Sequence, residues 1–92
     1  MKFMIAWKLD PSRQAAAAER FLASGAPMPD GMELVGRWHA PGSAQGFLLV
    51  ETDDLGALST HIAHWGDVLE FVVTPVLEDA EAGAAIATGM AR

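Results

Sequence analysis

The sequence predicts a small α+β domain of ferredoxin-like order, β-α-β-β-α-β, with a four-stranded antiparallel sheet and two helices on one face. Three observations carry that expectation. Residues 2–9, 32–39, 44–52 and 67–78 read as strands, by period-two alternation or by a run of β-favouring apolar residues. Two intervening segments place apolar residues at helical spacing, each opened by a capping residue and closed by glycine. Right-handed crossovers and uncrossed connections turn this order into one sheet with the first and third strands in the middle.

In the first strand Phe3, Ile5, Trp7 and Leu9 share one face, with Lys2, Met4, Ala6 and Lys8 on the other. Asp10-Pro11 then supplies a cap and a proline at a position where its missing N–H costs nothing. The first helix runs to about Ser24, its apolar stripe Ala15, Ala18, Phe21 and Leu22, and Gly25 suits a left-handed end. In the second strand strict alternation sends Met32, Leu34, Gly36 and Trp38 one way and Glu33, Val35, Arg37 and His39 the other. Pro41-Gly42 fits the centre of a type II turn, so a hairpin is expected. The third strand, rich in Phe47, Leu48, Leu49 and Val50, is apolar on both faces, as a central strand is.

Thr52-Asp53-Asp54 caps the second helix, whose stripe is Leu55, Leu58, Ile62 and Trp65, and Gly66 closes it. The last strand sets Leu69, Phe71 and Val73 against Val68, Glu70 and Val72. Its Pro75 cannot donate to a ladder and marks an edge or a bulge. Residues 1–78 thus form the domain, and the Ala/Gly-rich tail at 79–92 reads as a weak helix or a frayed end.

Composition bounds the function. The chain has 92 residues, 51% of them hydrophobic, and no cysteine. That composition describes a packed globule without disulfides or thiolate metal sites, and a reducing, cytoplasmic setting is expected. With a net charge of −6, its two Lys and four Arg cannot assemble a phosphate-binding surface, so no nucleic-acid partner is expected. No apolar run approaches the length that spans a bilayer, and no membrane association is expected.

The helix-free face of the sheet is predicted to carry Met4, Ala6, Val35, Val68, Val72 and one apolar row of the third strand. An apolar face of that kind marks an interaction surface, and a second copy of the chain is its simplest cover. A homodimer is therefore expected, with Lys8, Glu33, Arg37, His39 and Glu70 near the margins of the seam.

Three stretches resemble a small bacterial family known as domain of unknown function 3303. They are Gly25 to Met32 (GAPMPDGM), Phe47 to Asp54 (FLLVETDD) and Trp65 to Leu77 (WGDVLEFVVTPVL), joined by the Phe3-Met4-Ile5 strand. The resemblance implies a dimeric α+β barrel and supplies no catalytic residues. Arg37 stands where a small residue is usual before the tryptophan, and His64 stands where a basic residue is typical. A special role for either would be particular to this protein.

Few constellations carry chemistry. His61 and His64 share a helix face at i, i+3, but the stripe as read turns both towards solvent, and no third ligand is near in sequence; no metal site is expected. Glu51 to Asp54 fits a strand end and a helix cap better than a cation site. Ser59 and His61 lie two apart on one helix, which rules out a local nucleophile–base pair. Trp7, Trp38 and Trp65 fit the core better than an aromatic pocket. Arg37 and His39 share a face of the second strand, with Glu70 on the equivalent face of the last. Histidine with a carboxylate supports acid–base work, and arginine clamps a carboxylate. Against this stands the plainer reading of ion pairs along a dimer rim. The candidate ligand-binding residues are accordingly Arg37, His39, Glu70 and Trp38, with no cofactor expected. The leading expectation is a homodimer that binds a small, partly apolar molecule without catalysis. The alternatives are a cofactor-independent enzyme of monooxygenase or isomerase type using His39, Arg37 and Glu70, and a structural dimerisation module.

Overall fold

A computed structural model describes residues 1–91. Strand β1 (Lys2–Leu9) passes through a single 3-10 turn (Pro11–Arg13) into α1 (Gln14–Ser24). The hairpin of β2 (Glu33–His39) and β3 (Gln45–Glu51) leads to α2 (Leu55–Trp65), β4 (Leu69–Val76) and α3 (Asp79–Met90). The sheet order is β2-β3-β1-β4 and every neighbouring pair is antiparallel, which is the ferredoxin-like α+β arrangement predicted.

Local chemistry sets the element ends. The Asp10 carboxylate accepts from the Ser12 N–H at 2.8 Å, ahead of Pro11. Gly25, at φ 71°, ends α1 and donates its N–H to the Phe21 carbonyl at 2.7 Å. Asp54 caps α2 by accepting from the Ala57 N–H at 3.0 Å. Gly42, at φ 89°, makes the hairpin turn, closed by the Ser43 N–H on the Ala40 carbonyl at 2.7 Å. β4 is an edge strand, where Pro75 is tolerated.

Both α1 and α2 pack on one face of the sheet, over two apolar clusters. Under α2 lie Phe3, Ile5, Leu48 and Val50 with Ala57 and Leu58. Under α1 lie Ala17, Ala26, Trp65 and Val68, and Phe71 packs against both groups. The helix faces are rotated from those predicted. On α1 the buried position is Ala17, with Phe21 half-buried, whereas Leu22 and Ala18 are exposed; on α2 Leu55 is exposed and His61 is buried. Val68 precedes β4 and joins the core, not the open sheet face.

The largest departure is in β2. Leu34 pairs with Val50, but Gly36 pairs with Leu49 and Arg37 with Leu48, a register shift between Leu34 and Gly36. This bulge adds one residue, and one residue reverses every later side chain. Arg37 and His39 therefore point to the helix side, and Trp38 lies on the open face, 56% exposed. Gly36 gives the Trp38 side chain room on that face. The Trp38 indole lies across it, so close that a Cβ at Gly36 would sit 2.4 Å from Cη2 of the ring.

The Arg20 guanidinium binds Asp67 through two hydrogen bonds of 2.8 and 2.7 Å and lies 5.2 Å from the centre of the Trp65 ring. It thereby fastens α1 to the turn that follows α2. Those bonds lower the Asp67 carboxyl to a pKa of about 2.

The tail at 79–90 is a regular helix, α3, with no buried residue. It extends from the domain and raises the radius of gyration to 15.7 Å, against about 12 Å for a compact chain of this length. No helix among the described residues is long and apolar enough to cross a membrane.

Candidate functional site

A cavity of about 390 Å³ lies between the sheet and α1. The sequence makes it by placing small residues where a filled core needs large ones. The alanine run of α1 presents Ala17 and Ala18 to the cavity. On the sheet floor Gly46 leaves room for Trp7, whose indole lies over it. Trp7, Phe21, Trp65 and Phe71 form aromatic walls, and Leu48 and Leu69 add aliphatic ones. Such a volume is within the usual range for small-molecule sites.

Three basic side chains reach this apolar space. His39 stands edge-on to two rings, 5.5 Å from Trp7 and 5.3 Å from Phe21. Arg37 reaches the loop after α1, where Gly25 and Ala26 both have positive φ. It donates there to the Gly25 carbonyl at 3.2 Å and to the Ala26 carbonyl at 2.8 Å. Its guanidinium also lies 5.6 Å from the centre of the Phe21 ring.

His61 is the third, only 6% exposed. No buried polar side-chain atom among the described residues lacks a partner, yet His61 makes no hydrogen bond among them, so its ring nitrogens open on the cavity. Burial holds its pKa below the ordinary 6.5, assisted by the charges of Arg37 and His64, which favours the neutral imidazole. In the unfolded chain the imidazole protonates at the ordinary value, so stability is full above 6.5 and falls as pH drops below it. His61→Gln is expected to remove this loss, read from urea midpoints between about pH 7.5 and about pH 5. Parallel losses in both proteins would show that another group titrates.

The site therefore differs in membership from the set proposed on sequence. Arg37 and His39 line the cavity, but Trp38 and Glu70 are on the opposite face of the sheet, Glu70 lying 3.6 Å from Lys8. The convergence of His39 with the Glu70 carboxylate is thus not formed. His61, Trp7 and Trp65 belong to the cavity instead. Two sequence signals pointed to this. His61 lies three residues after Leu58 and four before Trp65, on the buried stripe. Gly36 inside a strand pattern is a bulge signal. His64, by contrast, is exposed, its ring 6.2 Å from that of Trp65.

Residues 1–90 match the model of a family described as a domain of unknown function, DUF3303. The chain belongs to this family. Among solved structures, a Deinococcus radiodurans protein provisionally described as an antibiotic biosynthesis monooxygenase is similar at 17% identity, over 85% of this chain and 94% of that one, with a TM-score of 0.49. Rv0793 of Mycobacterium tuberculosis is similar at 17% identity, over 86% and 97% of the two chains, with a TM-score of 0.52. At that identity the likeness of this DUF3303 chain to Rv0793 shows the fold alone. No curated protein matches the sequence.

Proposed function

We propose that the protein is a homodimer that binds a small, largely apolar molecule in the cavity between the sheet and α1. The observation that carries the reading is the cavity itself: about 390 Å³, aromatic-walled, with a few convergent polar groups. A ligand present at about a hundred times its Kd adds about 2.7 kcal/mol to stability, which is on the order of 10–20 °C in Tm for a domain of this size. Ala18 is an exposed residue of α1 at the cavity wall. Ala18→Trp is expected to keep the fold while its indole occupies the ligand space. Thermal-shift screening should then find stabilising metabolites for the wild type and none for the variant. A library that stabilises neither, or both alike, overturns the reading.

The dimer is supported by the open sheet face, where Trp38, Phe47, Ala6 and Val72 make a continuous row across all four strands. Three of these are large and exposed. Helix α3 adds a second argument. A free helix of this length is marginal in water, and α3 buries nothing on its own domain. A second copy supplies the surface that both features lack.

A cofactor-independent enzyme is the second reading, favoured by the neutral His61 imidazole near the Arg37 cation in an apolar space. Such a base takes a proton from an acidic substrate while the cation holds the resulting anion. It requires turnover that His61→Gln abolishes with ligand affinity retained.

A further inference from the structure

The polar lining of the cavity is one-sided. Arg37, His39, His61, Gln14 and Ser43 reach it, and no Asp or Glu does, in a chain of net charge −6. Arg37 takes part in none of the four ion pairs among the described residues. Two of its N–H groups are held by the Gly25 and Ala26 carbonyls. Those oxygens offer partial charge only, so a half-buried formal cation faces an apolar cavity without a counter-ion. A cation in that setting is costly unless an anion joins it. The walls narrow the choice further. Trp7, Phe21, Trp65 and Phe71 offer ring faces and edges, which suit a flat π-system. A flexible aliphatic chain would lose rotamer freedom on entry that a rigid ring does not.

We propose that the cavity selects a planar aromatic molecule carrying one anionic oxygen group, with the charge at Arg37 and the ring among Trp7, Phe21, Trp65 and Phe71. This rests on the reading of the cavity as a binding site. The tryptophans provide the assay, since Trp7 and Trp65 line the cavity and Trp38 lies on the opposite sheet face. Their three indole N–H signals are followed by NMR during titration of the full chain with 2-naphthoate and, separately, with uncharged 2-naphthamide. The carboxylate is expected to shift the Trp7 and Trp65 signals, spare Trp38, and bind about tenfold more tightly than the amide. Arg37→Met is expected to erase that preference and Arg37→Lys to restore part of it. Equal affinities for the two compounds in the wild type overturn the charge inference and leave the binding site standing. If neither compound moves Trp7 or Trp65, the binding reading falls as well. A shift confined to Trp38 assigns the ligand to the open face and overturns the proposal.

Discussion

Gly46→Ala is expected to cost about 3 kcal/mol, a large part of what a domain of this size has to lose. A Cβ at this position would stand 2.4 Å from the Trp7 ring and 2.5 Å from the Trp38 carbonyl oxygen. The ring can shift only into the cavity it lines, giving up its edge contact with His39. The carbonyl cannot move at all without parting β2 from β3. Gly36→Ala is the informative comparison. Its Cβ would stand 2.4 Å from Trp38, but the atoms it meets are the far end of an exposed side chain. Trp38 is free to swing away, and a cost near 1 kcal/mol or less is expected. Urea midpoints of the two variants check this. Equal losses would mean that the β2–β3 approach at Gly46 is not the constraint described. Because Trp7 is also a cavity wall, Gly46→Ala should weaken ligand binding in whatever fraction remains folded.

Phe47→Glu is expected to convert the proposed dimer to monomers at micromolar concentration, with Kd raised at least about a hundredfold. Phe47 is 47% exposed and sits in the middle of the open face, paired with Ala6 on one side and Trp38 on the other. In a sheet-to-sheet seam a carboxylate there is taken out of water among apolar side chains, and the nearest cation of this face, Lys8, stands one row away and already lies 3.6 Å from Glu70. The control is Leu55→Glu. Leu55 is equally apolar and exposed but lies at the start of α2, away from the open face. It should leave the assembly unchanged. Gel filtration with light scattering reads both. A monomeric wild type removes the dimer altogether, and a Phe47→Glu variant that stays dimeric removes the sheet face as its seam.

The bulge in β2 connects these results. It sends Trp38 to the open face and delivers Arg37 and His39 to the cavity, so one inserted residue sorts the chain's polar and apolar groups between two surfaces. Strict alternation assigned them the other way, because Leu34 and Trp38 have the same parity and both are apolar. The assignment was locally consistent. Gly36 is a hint of a bulge in the sequence, and the pairing partners across the ladder fix where the parity changes.

Much of the architecture was determined by sequence alone. Strand and helix order, the caps at Asp10 and Asp54, the turn at Gly42 and the edge position marked by Pro75 are all local properties, set by φ preferences and nearby hydrogen bonds. The ferredoxin-like α+β class follows from that order. The tertiary structure decided the register of β2, the inward turn of His61 and the existence of the cavity. These depend on what faces a residue from a distant part of the chain. An alanine run reads as a helix in any context, and it becomes a cavity wall only when Gly46, Trp7 and Arg37 are brought opposite it.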